Sequence, residues 1–274
     1  MTTIQEKIVW LFIFGILTLV VNGIAKRCNF FTISYHENSL FTSLRDLVVT
    51  SCLYILINFL LLSIFMIAIP QVVNISTTTY SFIVFLFYVI TAGSLILYYN
   101  KRPPQKNSPF TYYNNIISGI IACLIIYPTV LFVSQILDLF NFAILNITEP
   151  PRQFVIDYLK RTAQFPLSFT LTIITIIIIA PISEEILFRG YLQTWLKKIF
   201  GTKTAIVTAS LIFALFHFTN GQGYGNITIV GSLFIVALYF GTLFERQKSL
   251  ISPIIAHMIF NAISTINVLL SKEL

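Results

Sequence analysis

Glu184, Glu185, His217, His257 and Asn261 are the side chains of this 274-residue sequence whose types and spacing suit chemistry, with Arg189 as their charge partner. The stretch IIIIAPISEEILFRGYL (176–192) sets Glu184, Glu185 and Arg189 inside an otherwise apolar run. Ionised groups are expensive in hydrocarbon, so their presence there needs a reason. Glu185 and Arg189 are four residues apart; on a helix they share a face and form an ion pair. Glu184 is turned by ~100° from Glu185, and the residue four positions after it is Phe188, so it lacks a basic partner on its own helix. An intramembrane carboxylate of that kind marks a functional site by default. His257 and Asn261 are also i,i+4, as are Phe213 and His217, so each pair presents its side chains together.

The elements that position these residues follow from composition. The chain is 57% hydrophobic and 10% charged, with mean hydropathy +0.87. A soluble domain of this length needs a far more polar surface, so the expectation is an all-α, polytopic transmembrane bundle. Eight apolar segments fall near 8–25, 47–69, 81–99, 112–137, 167–187, 204–218, 227–244 and 250–270. Most reach the ~20 residues a span requires, and the sixth is short. The fifth meets no breaker before Gly201, which predicts a long helix running on to Phe200. The first segment is read as a retained span rather than a signal peptide, since it is long and lacks an A-x-A cleavage site.

The net charge of +7 is not a nucleic-acid footprint, because Lys and Arg cluster between apolar runs. Lys26, Arg27, Lys101, Arg102, Lys197, Lys198, Arg246 and Lys248 all fall in odd-numbered loops, which predicts those loops to be cytoplasmic. Loop four carries RQFVIDYLKRTAQ (152–164), the pattern of an amphipathic surface helix. The proline-rich KRPPQKNSP (101–109) divides the chain into anchoring helices over 1–110 and a core over 111–274, whose motifs lie within 167–270.

Measured from the loops of one side, the polar residues reach a common depth. Glu184 and Glu185 lie ~18–20 Å from the end of the long helix at Lys197. His217 lies ~21 Å along the sixth segment, and His257 with Asn261 ~14–20 Å along the eighth. Three helices thus point to one intramembrane site open to the cytoplasmic side.

Several other readings fail. His36–Glu37 is followed by Asn-Ser-Leu, so there is no HExxH, and no G-x-S-x-G serine motif occurs. Cys28, Cys52 and Cys123 form no metal or disulfide framework. The loop TNGQGYGN (219–226) follows no strand, so it reads as a turn beside the site rather than a nucleotide loop. Sequons occur at Asn74, Asn146 and Asn226.

SEEILFRGYL resembles the EExxxR motif of the CPBP (Abi) membrane proteins, the group that includes the type II CAAX prenyl endopeptidases. FALFHFTN (213–220) is similar to that family's FxxxH motif, and SLISPIIAHMIFN (249–261) to its HxxxN motif. The resemblance implies a helical bundle with intramembrane endopeptidase activity. It implies Glu184 as the base acting on water, His217 holding that water, and His257 with Asn261 steadying the oxyanion. Glu185 and Arg189 match the remaining charged positions.

Two mechanisms fit the same residues. In one, a carboxylate in a low-dielectric setting activates water directly, and imidazole and amide donors stabilise the oxyanion. In the other, Glu184, His217 and His257 form a His₂Glu set for a divalent metal, zinc above all. The donor pair His257–Asn261 favours the first. The expected partners are membrane lipid and a peptide or protein substrate, lipidated or not: a prenylated CAAX-like protein, a bacteriocin leader or a membrane regulator. Two other classes use the same features, a proton-coupled transporter and a non-catalytic scaffold or immunity protein. The absence of an internal repeat speaks against the first, the retained motif positions against the second.

Overall fold

The computed structural model describes residues 4–33, 42–61, 63, 76–101, 109–145 and 154–270. Residues 102–108 of the proline-rich stretch, His36 and the sequons at Asn74 and Asn146 lie outside them. Nine helices make up the described fold: α1 (Ile4–Arg27), α2 (Leu44–Ile55), α3 (Thr77–Tyr99), α4 (Pro109–Leu145), α5 (Phe154–Thr162), α6 (Pro166–Phe200), α7 (Thr202–Leu215), α8 (Gly225–Gln247) and α9 (Ile251–Leu270). The described residues contain no strand. Six of these helices, α1, α3, α4, α6, α8 and α9, are long and apolar enough to cross a membrane. The chain is a multi-pass helical membrane protein.

Two of the eight expected segments differ from a full span. The one near 47–69 is α2 followed by a wide π-type stretch at Leu56–Leu61, and most of its remainder lies outside the described residues. The one near 204–218 is α7, which stops at Leu215. His217 therefore sits in the turn after a half-length helix. The chain then returns through a short 3₁₀ turn at Asn220–Gln222 into α8. Asn226 closes this turn, its side chain accepting from Thr219 N–H at 3.1 Å and donating to the Thr219 and Gly223 carbonyls at 2.8 and 2.9 Å. Its amide is buried by this work rather than offered to solvent.

The fifth segment forms the expected long helix. α6 runs 35 residues, ~52 Å, to Gly201, whose φ of 77° ends it. Two π-type stretches, Thr175–Ile179 and Ile186–Gln193, interrupt its α-helical pitch on either side of the acidic pair.

α8 packs against α4 and α7, α1 lies along α4, and α9 fills the space between α4, α8 and α6. α2 and α3 lie against the charged part of α6. One apolar core joins Leu47, Tyr54 and Leu95 to Ile186, Leu187, Phe188, Tyr191 and Phe213. A second joins α1, α4, α8 and α9 through Ala25, Ile126, Phe240 and Ala256.

Water does not drive helices together inside a bilayer, so close packing and polar contacts must do so. Asn22 donates to Thr129 Oγ1 at 2.9 Å and accepts from Tyr239 Oη at 2.5 Å, tying α1 to α4 and α8. Buried Glu245 holds α6 to the end of α8: it pairs with Lys197 at 2.6 Å and Lys248 at 3.2 Å and accepts from Gln193 at 3.2 Å. Gly119 lets α4 and α9 meet backbone to backbone. A Cβ there would stand 2.7 Å from the Ser252 carbonyl oxygen and 2.8 Å from Ile255 Cβ. Gly119→Ala should therefore lower the thermal midpoint of the detergent-solubilised protein, at a cost of ~1–3 kcal/mol. An unchanged midpoint would show that the two helices do not approach this closely.

Candidate active site

The site is built on α6. Ala180 N–H bonds the Thr175 carbonyl across five residues rather than four. The next carbonyl in that pattern, Ile176, would need the N–H of Pro181, which has none. Asn261 Nδ2 on α9 supplies the donor instead, 2.9 Å from Ile176 O. One proline thus leaves one carbonyl open, and the HxxxN asparagine closes it. This contact fixes α9 against α6 one turn from His257.

Glu185 and Arg189 form the ion pair expected from their spacing, Oε2 to Nε at 3.2 Å, with both side chains 0% exposed. Helix pitch alone does not sustain so buried a pair. Arg189 Nη2 also donates to the Ala237 carbonyl of α8 at 3.2 Å. Its guanidinium lies 4.9 Å from the Phe213 ring centre and 5.8 Å from that of Phe240. These faces offer electrostatic attraction where water is absent. Thr194 Oγ1 donates to the Arg189 carbonyl at 2.9 Å within the second π-type stretch.

His257 reaches both carboxylates. Its Nδ1 lies 3.0 Å from Glu185 Oε1, a hydrogen bond, and its Nε2 lies 3.8 Å from Glu184 Oε2, beyond direct hydrogen bonding. Paired with Arg189, Glu185 acts as acceptor, so Nδ1 of His257 carries the proton and Nε2 is the edge turned to Glu184. The Glu184 side chain keeps 13% exposure, against none for Glu185. The two neighbouring glutamates thus occupy different settings, one sealed and balanced, the other at an opening.

His217 joins the site through a ring rather than a polar contact. Its Nδ1 donates to the Phe213 carbonyl at 2.9 Å, which leaves Nε2 available. Phe213 stacks within 4.9 Å of His217 and 5.9 Å of His257 and covers Arg189. The expected convergence therefore holds for Glu184, Glu185, Arg189 and His257, which touch. His217 and Asn261 reach the group through Phe213 and Ile176. Phe240 and the Ala237 carbonyl were not legible, since α8 is apolar throughout and nothing singles out one phenylalanine among 26.

The His₂Glu set does not fit a metal in this arrangement. Among the described residues no three His, Cys, Asp or Glu side chains are grouped to hold an ion. His257 is committed to the carboxylates, and the contacts of His217 are the ring and carbonyl of Phe213.

Breaking a buried pair strands the partner charge. Arg189→Met should cost ~3–5 kcal/mol, read as a lowered unfolding midpoint in detergent. Arg189→Lys should rescue little of it, because an ammonium cannot reproduce the planar contact with Glu185, Ala237 and two rings. Full rescue by lysine would mean that charge alone matters here.

A family model described as type II CAAX prenyl endopeptidase Rce1-like matches residues 166–263. No curated protein and no solved structure matches the chain. The matched region starts at the first turn of α6 and ends just beyond Asn261, so it contains every residue of the site. α1 to α5 lie outside it. Motif order, the helix pairing that joins the motifs and this match agree: over residues 166–263 the chain is similar to the Rce1-like type II CAAX prenyl endopeptidases.

Proposed function

We propose that the chain hydrolyses a peptide bond of a membrane-associated substrate, with Glu184 activating the water. The observation that carries this reading is the asymmetry of the acidic pair. Glu185 is sealed by Arg189, whereas Glu184 stands at the opening beside an imidazole edge that Glu185 holds in place.

The step is an ordinary amide hydrolysis. Glu184 takes a proton from water as the water oxygen bonds to the carbonyl carbon. The tetrahedral oxyanion collapses, the proton passes to the amide nitrogen and the C–N bond breaks, giving an acid and an amine. His217 Nε2 and Glu184 flank the space for the water. His257 Nε2 stands where the oxyanion develops; with Nδ1–H given to Glu185, it donates there in the doubly protonated form, and a donor in that position is typically worth ~10²–10³ in rate. Asn261, with an amide hydrogen given to Ile176, acts as a positioning residue that sets the height of His257 against the glutamates. Glu185 and Arg189 hold the imidazole and are not consumed. A prenylated C-terminal peptide, presented from the side of Lys197 and Lys248, is the substrate class we favour. The cluster of Lys197, Lys198, Arg246 and Lys248 on that side supports a cytoplasmic orientation.

The test is cleavage of membrane-tethered peptides, prenylated and unprenylated, by purified wild type and Glu184→Gln. The glutamine variant should fold normally and lose at least ~10²-fold in kcat. Equal cleavage by both proteins would remove Glu184 as the base. Cleavage of the unprenylated peptides alone would remove the proposed substrate class.

A further inference from the structure

The second apolar core reaches the site through one ring. Phe240 on α8 is fully buried and packs in that core with Ile126 of α4, Leu243 and Ala256, the residue before His257. Its ring centre lies 5.0 Å from that of His257, with 32° between the planes, and 5.8 Å from the Arg189 guanidinium. Phe213 touches the same two groups, His257 at 5.9 Å and 72° and Arg189 at 4.9 Å. Each of two phenylalanines thus meets both the cation and the imidazole. Phe213 belongs to the FxxxH motif, and Phe240 to no motif.

The register of α8 on α6 brings Phe240 there. Arg189 donates to the Ala237 carbonyl at 3.2 Å, and Gln193 Nε2 to the Gly241 carbonyl at 3.0 Å. Donors and acceptors are each four residues apart, so two bonds one turn apart fix the height of α8. Gly241 admits the second bond: a Cβ there would stand 2.7 Å from Gln193 Oε1. Phe240 lies between the two acceptors in sequence, and the same register sets its ring against His257. The hydrogen bond between Nδ1 and Glu185 holds one atom of the imidazole. It does not hold the plane, because the torsion that turns a histidine ring about its Cβ–Cγ bond has broad wells. A turn about that bond carries Nε2 away from Glu184, which it meets at 3.8 Å. Contacts with two rings, at 32° and 72° to the imidazole plane, close off that turn.

We propose that Phe240 is a positioning residue: its ring fixes the plane of His257 and so the aim of Nε2 at the group reacting beside Glu184. This rests on the hydrolytic reading above. The packing of α4, α8 and α9 thereby enters the chemistry, because the ring that closes their core also sets the imidazole. A stabilising group that is badly aimed raises the barrier without weakening substrate capture, so the effect falls on turnover.

The experiment is Phe240→Leu and Phe240→Met on the membrane-tethered peptides, with Phe244→Leu as a control. Leucine and methionine keep an apolar side chain at the position without a ring. Phe244 is a buried ring one turn further along α8, in the first core. Both Phe240 variants should lower kcat about 10-fold or more with KM within about 2-fold, while Phe244→Leu stays within about 2-fold of wild type in both. A second measurement is independent of turnover. The chain has three histidines, so protein carrying isotope-labelled histidine gives three sets of ring signals in a magnetic resonance spectrum, and a His257→Gln sample assigns those of His257. Loss of the Phe240 ring should shift and broaden the His257 signals, and Phe244→Leu should leave them in place. A kcat within about 2-fold of wild type in both Phe240 variants would overturn the proposal. Unchanged His257 signals in both would overturn it equally, since a fall in turnover would then come from packing alone. If wild type cuts no peptide, the hydrolytic reading falls, and the spectra alone decide whether Phe240 orients His257.

Discussion

A guanidinium with no access to water dictates the arrangement of this bundle. Arg189 is wholly enclosed, and its burial is tolerable only because a carboxylate, a backbone carbonyl and two aromatic faces surround it. Those groups come from three helices. Glu185 shares α6, Phe213 comes from α7, and Ala237 and Phe240 come from α8. Displacing any of these helices would expose a charge to hydrocarbon. The same carboxylate that answers Arg189 also holds His257, so the cost of the buried cation is turned into a fixed imidazole on α9.

The second constraint is a missing hydrogen. Pro181 cannot complete the wide turn that precedes the acidic pair, and Asn261 meets the carbonyl it leaves open. A break in a transmembrane helix is stable only where a neighbour satisfies the freed group. Here the neighbour is the helix that carries His257, so the break and the histidine are set by one contact. The Asn261 side chain and the Glu185 side chain clamp α9 to α6 at two heights, and the distance between Nε2 and Glu184 follows from both.

Much of this was written in local spacing. The i,i+4 interval of Glu185 and Arg189 gave their pair, the lack of any breaker before Gly201 gave the full length of α6, and depth along each segment brought His257 to the glutamates. What spacing does not encode is rotation across helices. His217 meets the ring of Phe213, and Asn261 turns to the Ile176 carbonyl, contacts that no interval in the sequence specifies. α7 looked like a span because Phe216, His217 and Phe218 extend its apolar run, yet its helix ends before them. Phe240 had no signal at all, since aromatic residues are frequent throughout this chain.

The tie between α1 and the rest of the bundle bears on how the protein is made. Asn22 and its partner Tyr239 are 217 residues apart in sequence. On a ribosome, α1 enters the bilayer long before α8 has been synthesised, with a polar amide exposed to lipid in the interval. Asn22 Nδ2 also donates to the Thr18 carbonyl of its own helix at 3.0 Å, so half of that amide is satisfied without any partner. Its oxygen must wait. Its donor can already reach Thr129 once α4 is in place, so the arrival of Tyr239 completes a contact that α4 has begun.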